Sequence, residues 1–162
     1  MIEIHPTAHV SHLADIEDSK RGTRIVIGAE SVIDSFVKIK PAGGSGDVVI
    51  GTRVTMNSGC VIYTGNGLQI GDDVAIAANC VFAPVNHEFS DKARKIRDQR
   101  FQPSRGGIII GNDVWIGASC VILDGAKIAD GCVIGAMSLV RGDLPAYSIS
   151  AGNPSQIIGW RK

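Results

Sequence analysis

Beginning at Ile110, an aliphatic residue falls on every sixth position, through Ile116, Ile122, Ile128 and Ile134 to Val140. A helix repeats its buried face about every 3.6 residues and a half-buried strand every second residue, so neither accounts for a sustained period of six. That period calls for a coil of short flat faces, each burying one guide residue. The same register recurs upstream at Ile27, Ile33 and Ile39, at Ile50, Met56 and Ile62, and at Ile70, Ile76 and Phe82. Nearly the whole chain is therefore one array. Three faces make one turn of a triangular prism, and stacking turns at the inter-strand spacing of about 4.8 Å gives a prism on the order of 30 Å tall.

A second column supports this reading. Four positions after successive guide residues stand small or branched side chains: Val54, Cys60, Val74, Cys80, Val114, Cys120, Ala126, Cys132 and Ser138. These are inward positions with little room. Glycine often follows the guide residue directly, as at Gly28, Gly51, Gly71, Gly111, Gly117 and Gly135, where a corner is expected to favour unusual backbone angles.

Composition narrows the class. The 162 residues make one domain, and 44% hydrophobic content supplies a core, yet only 5% is aromatic, as a narrow prism requires. Sixteen basic residues balance sixteen acidic ones, so no global field draws nucleic acid or an anionic membrane, and neither is expected as a partner. All four cysteines lie in the inward column, where free cysteine behaves as a small apolar filler, and packing explains them better than disulfides. No apolar stretch approaches a membrane span, and Met1-Ile2-Glu3-Ile4-His5-Pro6 lacks the regions of a signal peptide, so a cytoplasmic location is expected.

An array of equivalent turns marks a site by interrupting itself. The first interruption is the glycine-rich stretch from Pro41 to Asp47, and the second inserts two residues within Tyr63–Leu68. The third is large: after Phe82 the register resumes only at Ile110, an excess of 22 residues. This predicts a protruding loop over about 88–109. It carries Lys92, Arg94, Lys95, Arg97, Arg100 and Arg105 against Glu88, Asp91 and Asp98, and reads either as a solvated loop or as a lid bordering an anionic ligand.

At the root of that loop stands Asn86-His87-Glu88-Phe89, and His87 is the only histidine beyond position 12. Imidazole suits general-base work near neutral pH. His5, His9 and His12 are read as surface residues rather than a metal cluster. Glu88 either orients the imidazole or faces solvent.

With these residues in hand, the chain resembles the hexapeptide-repeat acyltransferases, and within them the galactoside, maltose and polysaccharide O-acetyltransferases. The resemblance runs from about Ile27 to the end. It is carried by the repeat, by Asn86-His87, by Ile110-Gly111-Asn112-Asp113-Val114-Trp115-Ile116-Gly117 and by Ala151-Gly152-Asn153-Pro154. It implies an all-β, left-handed parallel β-helix forming a single domain over 1–162, with one long loop and a short C-terminal tail. The hand comes from the resemblance alone, because the general rule for parallel crossovers gives the opposite one.

The resemblance further implies an acetyl-CoA-dependent O-acetyltransferase acting on a sugar or cell-surface polysaccharide precursor, without a metal. It also implies a homotrimer with active sites between subunits. By position in the matching motifs, His87 is the general base, and Asn57, Asn86 and Glu88 lie on the acceptor side. Trp115, Ala118 and Ala136 border the thioester and pantetheine, while Arg141, Arg161 and Lys162 serve the cofactor phosphates. Here Val140-Arg141-Gly142-Asp143 departs from the lysine many relatives carry before the aspartate. An N-acyltransferase on an amino sugar, a serine O-acetyltransferase and a non-catalytic β-helix scaffold are the alternatives. A zinc site of the γ-carbonic anhydrase kind needs three histidines from neighbouring turns, and the central turns offer His87 alone.

Overall fold

The structure, a computed structural model, describes residues 1–162. The chain winds into stacked three-sided coils. The first consists of β1 (Ile2–Ile4), β2 (His9–Val10) and β3 (Asp15–Ile16), the second of β4 (Ile25–Ile27), β5 (Val32–Ile33) and β6 (Lys38–Lys40). The third holds β7 (Val48–Ile50), β8 (Thr55–Met56) and β9 (Val61–Tyr63), and the fourth β10 (Leu68–Ile70), β11 (Ala75–Ile76) and β12 (Val81–Ala83). After the loop with its single helical turn α1 (Ile96–Gln99) come β13 (Ile108–Ile110), β14 (Trp115–Ile116) and β15 (Val121–Leu123). The sixth coil is β16 (Lys127–Ile128), β17 (Val133–Ile134) and β18 (Leu139–Val140). A partial seventh, β19 (Asp143–Leu144) and β20 (Ser148–Ala151), is closed by β21 (Gln156–Trp160), the one strand that pairs antiparallel. The three faces are parallel sheets of seven, eight and six strands, the second including β21.

The guide residues stack in the expected register. Ile27, Ile50, Ile70, Ile110 and Ile128 form one column of paired residues. Ile33, Met56, Ile76, Ile116 and Ile134 form the second, and Ile39, Ile62, Phe82, Ile122 and Val140 the third. All are buried in a continuous core, together with the column of Val54, Cys60, Cys80, Cys120 and Cys132. The array also starts earlier than the repeat suggests: Ile4, Val10 and Ile16 pair with Ile27, Ile33 and Ile39, so the N-terminal residues make a full coil of their own.

The four cysteines are free thiols, each donating to a carbonyl of the following coil: Cys60 to Ala77 and Cys80 to Gly117 at 3.2 Å, Cys120 to Gly135 at 3.2 Å and Cys132 to Pro145 at 3.1 Å. The neighbouring Cys80 thiol and burial both push the Cys120 thiol up from its ordinary range. No helix is long and apolar enough to cross a membrane.

The three edges of the prism are built differently. At the first, between the first and second faces, Asp72, Asn112 and Asp130 each accept the backbone N–H of the residue one coil back, Thr52, Asp72 and Asn112 respectively, at 2.7 Å. These side chains satisfy corner amides that no sheet reaches. The glycines after the guide residues have a different cause from the one expected. Gly28 and Gly111 do not adopt positive φ; a Cβ on Gly28 would lie 2.3 Å from the Gly51 carbonyl oxygen, and one on Gly111 2.2 Å from Asp130 Oδ1. They are needed for close stacking, and the left-handed backbone falls two positions later, at Arg53, Asp73 and Asp113.

Candidate active site

All three interruptions of the repeat fall on the third edge, between the third and first faces. Gly44 and Gly46 of the first pack on Gly65 and Gly67 of the second, and Gly65 packs beneath Pro84, where the third begins. Without side chains at these positions the backbones nest coil on coil, and Gly107 of the returning arm of the loop packs on Gly67 in the same way.

The loop has an internal structure that its sequence does not announce. Gln99 is buried, and its amide bonds to Asp91 N and O and to the Arg94 carbonyl at 2.9–3.0 Å. Its return to the prism is held by Asp124, which is 2% exposed and accepts Arg105 N–H and Gly107 N–H at 2.9 Å and Asn66 Nδ2 at 3.1 Å. Asp124 was missed in the sequence, where an Asp-Gly turn signal is its only trace. The basic residues of the loop are exposed, and Arg94 folds back onto the Asp98 carbonyl at 2.7 Å.

His87 is exposed and sits where the loop leaves β12. It faces Phe101 across a short antiparallel bridge, closed by Gln102 N–H to Asn86 O at 2.9 Å and Glu88 N–H to Arg100 O at 3.1 Å. The imidazole and the Phe101 ring are 4.9 Å apart between centroids and inclined by 41°. The outgoing and returning arms of the loop thus fix the histidine between them. Beside it opens a cavity of about 280 Å³ lined by Ala42, Gly43, Tyr63, Ala83, Val85, His87 and Phe101.

Glu88 turns away from this pair. Its Oε1 accepts the N–H groups of Phe89 and Ser90 at 2.7 Å, and these backbone donors, that of Ser90 foremost, hold the carboxyl below its usual range. The side chain next to the imidazole is therefore Phe101, not the carboxylate.

The remaining residues singled out in the sequence lie elsewhere on the prism. Asn57, Ala118 and Ala136 follow β8, β14 and β17 on the second edge, where Asn57 Nδ2 donates to Ile76 O at 2.9 Å. Trp115 points out of the second face, 55% exposed. Arg141 lies on the third edge, two coils below the loop, and is exposed. Arg161 lies on the first edge, bonded to Asp113 Oδ2 at 2.8 Å and Gly131 O at 3.1 Å with its guanidinium 5.9 Å from the Tyr147 ring, while Lys162 ends the chain in solvent. A single protomer thus brings together His87, Asn86 and a cavity but holds Asn57, Ala118 and Ala136 across the width of the third face. His5, His9 and His12 are all exposed along the first coil, and no three His, Cys, Asp or Glu side chains converge as a metal-holding group.

The parallel prism and its six-residue repeat define a hexapeptide-repeat protein with a left-handed β-helix. Residues 107–142 match the bacterial transferase hexapeptide (six repeats) family. It is 31% identical over 157 residues to a probable acetyltransferase of Mycobacterium tuberculosis, covering 97% of this chain and 47% of that protein. It is 36% identical over 112 residues to the galactoside O-acetyltransferase of Escherichia coli, covering 69% of this chain and 53% of that one. The chain spans about half the length of these curated relatives. Among solved structures it is similar to a variant of AntD, an N-acyltransferase from Bacillus cereus, in complex with dTDP-4-amino-4,6-dideoxyglucose and coenzyme A. The TM-score there is 0.82 at 28% identity, covering 99% of this chain and 84% of that one.

Proposed function

We propose that this chain is an acetyl-CoA-dependent O-acetyltransferase acting on a sugar or polysaccharide precursor, with His87 as general base and active sites shared between copies of a homotrimer. The observation that carries this reading is the convergence of all three interruptions of the repeat on one edge, where the two arms of the loop fix His87 beside a cavity.

The chemistry follows from what the acceptor needs. A hydroxyl has a pKa far above neutral, so attack on a thioester carbonyl requires a base to take its proton as the new C–O bond forms. His87 takes that proton. The tetrahedral intermediate carries negative charge on the former carbonyl oxygen, and the backbone N–H of Ala118 stabilises it. The C–S bond then breaks, and the imidazolium returns its proton to the departing coenzyme A sulfur. Glu88 has no part in orienting the base; Phe101 and the bridge do that.

Ala118 and His87 lie on different edges of one prism, so this mechanism needs a second copy to bring the two edges face to face. The third face between them suits such a contact: its outward residues Val61, Val81, Val121 and Leu139 are apolar and half-buried. Of the residues assigned to cofactor phosphates, Arg141 is free for that role, whereas Arg161 is engaged by Asp113. N-acylation of an amino sugar is the second reading, favoured by the similarity to AntD over nearly the whole chain.

The test is coenzyme A release from acetyl-CoA across hydroxyl sugars, nucleotide-linked amino sugars and serine. Acceptor-dependent release that falls roughly 10²–10⁴-fold in His87→Ala, with the fold intact, is expected. Undiminished turnover in that variant overturns the base assignment, and absence of release and of coenzyme A binding moves the reading to a scaffold.

A further inference from the structure

Of the seven residues that line the cavity beside His87, five are hydrophobic. Tyr63 and Phe101 are its two large walls, 38% and 42% exposed, so each presents ring surface that the fold leaves uncovered. Ala42, Ala83 and Val85 supply the remaining side chains, and Gly43 is pressed against Val85 closely enough that a Cβ there would lie 2.6 Å from Val85 Cγ1. Besides the imidazole, the Tyr63 hydroxyl is the one polar side-chain group on this surface. At about 280 Å³ the space is at the small end for ligand sites, fit for one ring rather than for a nucleotide with its sugar.

Phe101 has its place for a reason independent of any ligand. It is held opposite His87 by the bridge between the two arms of the loop. The apolar wall and the base are thus parts of one unit, and whatever the base deprotonates lies against that wall.

We infer that the cavity selects an acceptor ring with an apolar face and a missing hydroxyl, a deoxysugar rather than a fully hydroxylated hexose, and that Tyr63, Val85 and Phe101 are the residues that make the selection. The inference rests on the acetyltransferase reading and names the substrate class of that same site. Its physical basis is the cost of burying a hydroxyl that finds no partner. A ring methyl or hydrogen meets Ala42, Val85 and the aromatic faces favourably, whereas a hydroxyl in the same place gives up its water. Aromatic rings also receive the C–H face of a sugar through their negative π surface.

The experiment compares matched acceptors that differ by one hydroxyl, galactose with 6-deoxygalactose and glucose with 6-deoxyglucose, in acetyl-CoA-dependent coenzyme A release by the full chain. The deoxy member is expected to have a kcat/KM about tenfold or more above its partner, the range that one group in an apolar pocket commands. The isosteric Val85→Thr, which puts a hydroxyl in the wall, is expected to bring the ratio toward unity. Equal or reversed preference in the unaltered protein, with release intact, overturns the inference and leaves the acetyltransferase reading standing. If no acceptor supports release, that reading fails first, and saturation-transfer NMR with the same sugar pairs decides this one. Stronger transfer to the deoxy members, lost in Phe101→Ala, supports it; equal transfer to both members of each pair overturns it.

Discussion

The first and third edges of the prism are made by the same chain turning the same corner, yet they are built on opposite principles. On the first edge the turns from the third coil to the sixth repeat one device: Asp72, Asn112 and Asp130 cap successive backbone amides, and Arg53 pairs with Asp73 as Arg161 does with Asp113. On the third edge no two turns are alike. Glycines replace side chains, the backbones nest directly, and a loop of some twenty residues is anchored by one buried carboxylate, Asp124. Side-chain repetition makes an edge that is closed and stable, whereas stripping it bare creates room for a site.

The comparison predicts that stability and activity separate by edge. The largest effects should come from buried positions. Ile122→Ala in the regular core is expected to cost about 2–5 kcal/mol in denaturant unfolding while leaving kcat/KM near its original value below the transition. Asp124→Ala strands three donors, should cost about 3 kcal/mol, and should also lower turnover, because the returning arm that carries Phe101 loses its anchor. Turnover that survives Asp124→Ala would break the link between loop anchorage and the site. Asn112→Ala on the first edge removes one cap from the Asp72 amide and should cost about 1 kcal/mol by thermal melting with no change in turnover. The smallest effect belongs to Glu88→Gln, where the amide oxygen still accepts from Phe89 and Ser90. Turnover within roughly twofold of the original is expected, and a large loss would restore Glu88 as a partner of the base.

What the sequence made legible follows from what kind of signal each feature leaves. The core was readable because one residue in six must be aliphatic, so Ile27, Ile50, Ile70, Ile110 and Ile128 could be aligned before any pairing was known. The interruptions were readable as departures from that rhythm, and they pointed to His87. Their convergence on a single edge was not, since it depends on three-dimensional stacking. The first coil was obscured, although Ile4, Val10 and Ile16 keep the period of six, because the eleven positions from Ile16 to Ile27 break the register before the array resumes. The corner glycines were recognised for the wrong reason, as sources of unusual φ rather than of close approach, because both needs leave the same residue. Phe101, the true neighbour of His87, lies fourteen positions away across a loop with no periodicity, and nothing local marks it.

The separation of His87 from Ala118 by a whole face carries the account's central claim, that the site is completed by a second copy. The most direct measurement mixes two inactive variants, His87→Ala and Ala118→Trp, by co-expression and isolates the mixed oligomers. Sites formed between neighbouring protomers in a cyclic trimer should recover about a third of the original turnover in these mixed oligomers, because each mixed trimer has one interface in three that pairs an intact His87 with an intact Ala118. Mixed oligomers that remain as inactive as either parent would contradict the account and place the chemistry within one chain.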